Sequence, residues 1–201
     1  LARLIVYYVH PGQQHSHANR AMQAEAGAVD GITLVDLYAE YPRFDIDVDK
    51  EQARLLDHDV VLFQFPMFWY STPSLLKEWL DLVLEHGFAY GAGGDKLAGK
   101  TLMLAITAAG PEEAYSSGGY QHFPIRTFVT PLEQTAHLCD MRFAVPFVLF
   151  GSLRAAKDGR ADRHATAYRA LLLAIRDDRH DFDAGGSDVL QFDSPMLTAE
   201  V

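Results

Sequence analysis

The sequence predicts an α/β fold built on a doubly wound, five-stranded parallel sheet with strand order 2-1-3-4-5. Three observations lead there. Short, nearly continuous apolar runs recur at residues 4–9, 60–65 and 101–107, the pattern of strands covered on both faces. Helical amphipathic patterns separate the runs, as crossovers between parallel strands require. Each run also ends in turn-forming, aromatic or small residues. Right-handed crossovers set the loops after strands one, three and four along one edge, where open α/β sheets take their ligands.

The first run, Leu4-Ile5-Val6-Tyr7-Tyr8-Val9, passes through the turn signal His10-Pro11-Gly12 into a helix that Ser16 can cap. A helix start directly after a strand offers unpaired amides and the positive end of a dipole, a ready phosphate site. Neither a GxGxxG fingerprint nor a Walker A loop is present. Residues 32–37 alternate toward a second strand, and residues 49–57 form a short polar helix. The third strand stops at Pro66, which lacks the N–H needed to extend a ladder. Met67-Phe68-Trp69-Tyr70 then place three aromatics where the strand ends. Thr72 reads as an N-cap, Pro73 as a first-turn proline and Gly87 as the far end of a helix burying Leu75, Leu76, Trp79, Leu80, Val83 and Leu84. A glycine-rich loop from Phe88 to Gly94 follows. The fourth strand ends in Thr107-Ala108-Ala109-Gly110-Pro111, where small side chains let the backbone approach a planar ring. A helix over 125–138, a fifth strand over 141–150 with Pro146 at an edge or bulge, and a helix over 162–176 complete the pattern. Residues 1–180 read as one domain, and 181–201 as a polar C-terminal tail ordered only where it packs on something, ending in Pro195-Met196-Leu197.

The bulk numbers narrow the function class. The chain has 201 residues, 49% hydrophobic and 22% charged, enough for one α/β domain with a sizeable core. A formal charge of −10 opposes a dedicated nucleic-acid binder and broad adsorption to anionic membranes. Cys139 stands alone, so no internal disulfide forms, and the cytosol is the expected compartment. No run approaches the ~18 apolar residues of a membrane span, and no signal-peptide pattern is seen. The first residue is Leu1, which reads as a start inside a trimmed chain. His10, His15 and His17 match no metal-ligand spacing, and the acidic run Asp45-Ile46-Asp47-Val48-Asp49 reads as a solvated face.

Together the three loops supply an anion site, an aromatic wall and a small-residue shelf. A flavin mononucleotide needs those features: a phosphate anchor, apolar cover for a tricyclic ring and amide donors at its polar edge. The residues also carry a family resemblance. His10-Pro11 through Ser16-His17-Ala18-Asn19, Gln64-Phe65-Pro66-Met67-Phe68-Trp69-Tyr70-Ser71 with Pro73-Leu75-Leu76-Lys77-Glu78-Trp79, and Phe88-Ala89-Tyr90-Gly91 with Leu97-Ala98-Gly99-Lys100 occur in order. With them the chain resembles the flavodoxin-like NAD(P)H quinone oxidoreductases, and among these the ancillary proteins of bacterial glutathione-regulated potassium efflux, over roughly residues 4–175.

The resemblance implies FMN, favoured over FAD, with NADPH or NADH as electron donor and a quinone as acceptor in two-electron, ping-pong hydride transfer. It implies that His10, Ser16, His17, Ala18 and Asn19 hold the ribityl-phosphate arm, that Pro66, Met67, Phe68 and Trp69 line the ring, and that Thr107, Ala108, Ala109 and Gly110 take its pyrimidine side. The family's Thr-Thr-Gly-Gly pattern stands here as Thr107-Ala108-Ala109-Gly110, losing a hydroxyl and a glycine's freedom. A tyrosine and a histidine assist hydride transfer in mammalian relatives; Tyr115 falls at the tyrosine's offset and His122 near the histidine's place. Homodimerisation is implied too, with Phe88, Tyr90 and the helix over 72–86 at the interface. So is a cytoplasmic location, peripheral to the membrane if a transporter is the partner. The alternative function is a regulatory subunit that docks on and activates a glutathione-gated potassium efflux system, with redox turnover secondary. A one-electron flavodoxin-type carrier is the third reading.

Overall fold

Strand β1 (Leu4–Tyr8) sits between β2 (Thr33–Asp36) and β3 (Val60–Pro66), and β4 (Thr101–Thr107) pairs with β3 on the far side. The outermost position is shared by β5 (Arg142–Phe143) and β6 (Phe147–Leu149), both parallel to β4. The path β2-β1-β3-β4-β5 is the expected doubly wound, flavodoxin-like order. This computed structural model describes residues 1–183 and 188–194; the Pro195-Met196-Leu197 end named above lies outside the described residues.

The fifth strand differs from expectation by being two. The Ala144 amide still donates to Leu102 O at 2.9 Å, but pairing lapses at Val145 and Pro146 before β6 resumes. Proline has no N–H to offer the ladder, so the break falls beside it. β3 conversely includes Pro66, which pairs in register with Thr107 as the strand's last residue, where a missing donor costs least.

Seven helices are described. α1 (His17–Gly27) is capped by Ser16, whose Oγ accepts from the Asn19 amide. α2 (Leu37–Glu40) is one turn, capped by Asp36. α3 (Val48–Asp57) is capped by Asp47, whose carboxylate accepts from the Lys50 amide at 3.0 Å. Part of the acidic run is therefore helix-starting chemistry. α5 (Ile125–Leu138) has the expected bounds, α6 (Ser152–Ala155) is an unforeseen turn, and α7 (Arg160–Arg176) starts after left-handed Gly159.

α4 (Ser74–Val83) is shorter than expected at both ends. Its N-cap position belongs to Pro73, which makes no side-chain cap, and Thr72 Oγ1 is buried without a partner. The cause lies upstream. Phe68 and Ser71 exchange two backbone hydrogen bonds (3.1 and 3.0 Å) around Trp69 and Tyr70, and this closed turn delays the helix. At the other end Leu84 leaves helical geometry, and Gly87 (φ +84°) serves the following turn, donating to Tyr90 O.

Both faces of the sheet are covered. On one, Tyr7, Phe63, Phe65, Leu104 and Ile106 pack with residues of α3, α4 and α5. On the other, Leu4, Val6, Leu62 and Met103 meet Met22 and Ala26 of α1 and Tyr168, Leu171 and Leu172 of α7. One charge crosses the first layer: Glu51 is fully buried yet accepts from Tyr7 Oη (2.7 Å), Tyr41 Oη (2.6 Å), Trp79 Nε1 (3.0 Å) and Arg54 (2.5 Å). Four donors offset the desolvation that would otherwise expel a carboxylate from a core. Burial first, then the adjacent carboxylate, push the Tyr7 and Tyr41 phenols above their ordinary range.

Beyond α7 the chain returns to the sheet. Leu190 is buried beside β6, donating its amide to Pro146 O and accepting from the Val148 amide, both at 2.8 Å.

Candidate functional site

At the carboxyl edge of the sheet the loops after β1, β3 and β4 enclose a cleft of about 580 Å³. His10, Ser16, His17, Ala18 and Asn19 line one part, Pro66, Met67 and Phe68 a second, and Thr107 and Ala109 a third. Ten of the residues singled out for cofactor binding thus share one cavity, of a size suited to a small cofactor.

Its floor is polar and built. Asn19 Nδ2 donates to Thr107 Oγ1 (2.8 Å) and Ser16 Oγ (3.0 Å), tying the first loop to the third. Gln64 Nε2 donates to Asn19 O at 3.0 Å from beneath. Asn19 is 2% exposed, and its Oδ1 has no partner. A buried acceptor left open at a cavity wall costs free energy unless a ligand's donor meets it. The first-turn amides of α1, with the helix dipole behind them, open on the same side. His10 is nearly buried and its Nδ1 accepts from the Gly12 amide at 3.0 Å, leaving Nε2 to carry the proton. Burial lowers its pKa, which Asp36 partly opposes, so the ring favours its neutral form. Its edge meets the Phe68 ring at 5.8 Å. Hydroxyl-rich and anionic groups suit the floor, and a flat ring suits the Met67–Phe68 wall. The residues present therefore fit FMN.

Three expected contact residues stand elsewhere. Ala108 is a correction with a clear cause: its amide donates to Leu149 O, its carbonyl accepts from Ser152 N, and its methyl group joins the core on the α4–α5 side. Gly110 is buried and not part of the cleft lining, accepting from the Gly151 amide at 2.8 Å. Trp69 is 93% exposed, off the cleft wall. It and Tyr70 have φ of +48° and +62°, the left-handed pair that a tight two-residue turn demands and Asn-Gly usually supplies. Tyr70 is anchored against Phe128, ring centroids 5.1 Å apart.

Tyr115 and His122 separate. Tyr115 is half-buried between Phe128 and Phe150, and a Cβ on Gly110 would come within 3.1 Å of its ring and of Tyr120 Oη. A residue larger than glycine would require the Tyr115 and Tyr120 rings to give way by a few tenths of an ångström. Burial raises the Tyr115 pKa, with the Gly110 backbone hydrogen bond opposing. His122 is exposed with φ +63° and is not among the residues lining the cleft. The cleft also has a wall that sequence reasoning missed: Ser152, Leu153 and Ala156. The signal was Gly151-Ser152 directly after the last apolar run, again at the carboxyl end of a strand. A second groove of about 410 Å³ lies between α4 and α5 and meets the cleft at Met67.

Comparison with known proteins places this geometry. The flavodoxin-like fold family matches residues 2–172. A glutathione-regulated potassium-efflux system ancillary protein, KefG of Serratia proteamaculans, is 45% identical over 166 residues, covering 83% of this chain and 90% of its own length. The structure of general stress protein 14 of Treponema denticola, in complex with FMN, has TM-score 0.79 and 32% identity, covering 89% of this chain and 99% of that one. An NADPH-quinone reductase of P. pentosaceus has TM-score 0.75 and 27% identity, covering 84% and 96% respectively.

Proposed function

The chain belongs to the flavodoxin-like fold family, and from that premise we propose that it is an FMN-dependent NAD(P)H:quinone oxidoreductase. The observation that carries the reading is the cleft, where the open Asn19 Oδ1 and the start of α1 adjoin the Pro66–Met67–Phe68 wall. FMN, when bound, supplies the two-electron acceptor and donor chemistry. This chain's residues do the rest. Ser16, Asn19 and the α1 amides hold the phosphate arm and ribityl hydroxyls. His10 donates from Nε2 while its Nδ1 stays fixed by Gly12. Met67 and Phe68 exclude water from one ring face. Tyr115, behind Ala109 and Gly110, steadies the shelf and offers a phenol of raised pKa to charge arising nearby.

The net reaction takes a hydride from NAD(P)H and one proton from solvent, and releases NAD(P)⁺ and hydroquinone. One site serving donor and acceptor in turn requires ping-pong kinetics, read as parallel double-reciprocal lines when quinone is varied at several NADPH concentrations. Intersecting lines would contradict the shared site.

The 45% identity to a potassium-efflux ancillary protein favours a second reading, in which the chain docks on a transporter from the cytoplasm and activates it, turnover being secondary. Among the described residues no helix is long and apolar enough to cross a membrane, which is compatible with peripheral attachment. A homodimer fits both readings. The α4–α5 groove, with Leu80, Leu84, Tyr90 and Leu132 along it and exposed Leu138 at its rim, is an apolar face of the kind interface cores use. Co-purification with the efflux protein and no quinone turnover by the FMN-loaded chain would favour the second reading.

A further inference from the structure

The family match ends at residue 172, yet part of the chain beyond it is built into the sheet. β6 is only three residues long and pairs with β4 on one side. Its outer side would present the Val148 amide and the Pro146 carbonyl as open edge groups, and Leu190 takes both. The Leu190 side chain is 4% exposed and packs in the cluster that contains Phe147. Two residues on, Phe192 sets its ring edge against His164 and lies under the Arg163 guanidinium at 5.0 Å.

What this segment holds is next to the cleft. β6 runs into Phe150 and Gly151, and then α6, whose Ser152 and Leu153 form the cleft's far wall. Gly151 and Ser152 donate their amides to Gly110 O and Ala108 O, fixing that wall to the loop after β4. Leu149 of β6 packs with Ala18 at the start of α1, together with Ala155 and Ala161. Displacing β6 would therefore disturb both the far wall and the helix start assigned to the phosphate.

We propose that the segment carrying Leu190 is a clasp that positions the cofactor cleft: by pairing with β6 it holds α6 and the first turn of α1 in the arrangement that accepts FMN. The inference rests on the FMN reading above. It makes Leu190 a positioning residue that touches no ligand. Coupling between clasp and cleft is reciprocal. If the closed clasp tightens FMN binding by some factor, bound FMN must favour clasp closure by the same factor.

The test pairs two measurements on the full chain. FMN affinity is measured by fluorescence quenching for the wild type, Leu190→Asp and Leu190→Met. Amide hydrogen exchange at Leu190 and Val148 is followed with and without FMN, with the β2 amides at the opposite edge as control. Leu190→Asp should bind FMN roughly tenfold more weakly, within the ordinary range of coupling, and Leu190→Met should bind close to wild type. FMN should slow exchange at Leu190 by a similar factor and change β2 less. Unchanged affinity in a folded Leu190→Asp variant would overturn the proposal, as would Leu190 exchange in the wild type that ignores bound FMN. If Leu190→Asp does not fold, the wild-type exchange decides. A wild type that binds no FMN removes the cofactor reading itself, and the clasp's role with it.

Discussion

His164 provides a sharp test of the packing on the α7 side of the sheet. Its ring is fully buried, stacked at 4.0 Å and 10° on Phe147, and neither ring nitrogen has a hydrogen-bond partner. Burial alone pushes its pKa from 6.5 down to about 3. A base whose folded pKa lies below its unfolded value is protonated more readily in the unfolded chain. Its effect on stability is absent above about pH 6.5 and grows as pH falls toward 3. With an unfolded pKa of 6.5, the stability lost by pH 5 is about 2 kcal/mol. His164→Phe keeps a flat ring against Phe147 and removes the proton site. Urea unfolding of both proteins at pH 8 and pH 5 gives two stability differences, and the advantage of the variant should grow by about 2 kcal/mol between them. The variant should also be the more stable at pH 8, because two unpaired buried nitrogens disappear. A stability difference independent of pH would refute the reasoning and show His164 hydrated or partnered.

Three further outcomes follow from the same geometry. Glu51→Gln turns an acceptor with four donors into an amide that confronts them with its own N–H groups, and should cost about 3–5 kcal/mol by denaturant unfolding. Trp69→Asn relieves a left-handed backbone at a side chain that buries almost nothing, so the urea midpoint should rise by the equivalent of about 1 kcal/mol with an unchanged slope; a fall would mean the indole is covered in solution. Asn19→Leu removes the bonds to Ser16 and Thr107 and the open acceptor, and should weaken FMN binding about tenfold by fluorescence titration.

Much of this was legible in the sequence because parallel strands covered on both faces announce themselves. Residues 60–65 and 101–107 are apolar runs with Pro66 and Ala108-Ala109-Gly110 at their ends, and those ends converge in the structure. Ser16 was readable as a cap because the cap chemistry is local. What escaped depends on partners distant in sequence. Glu51 looks like one more surface acid until Tyr7, Tyr41 and Trp79 are brought to it across 44, 10 and 28 positions. α4 starts later than its sequence signals because the Trp69–Tyr70 turn lacks the Asn and Gly that mark left-handed positions. The motif points Ala108 toward the cleft, but alternation along an extended backbone sends its methyl to the opposite face from Thr107. The far wall at Ser152 and Leu153 stayed hidden because Pro146 broke the fifth strand and blurred where its carboxyl end lay.

The account turns on the cleft holding FMN in a form that NAD(P)H reduces. The direct measurement is the absorption spectrum of the protein after loading with excess FMN and desalting, followed by anaerobic addition of NADPH. The account predicts retained flavin that bleaches in a single two-electron step, and returns on adding a quinone. Flavin that washes away, or that stays oxidised under excess NADPH and NADH alike, would contradict it.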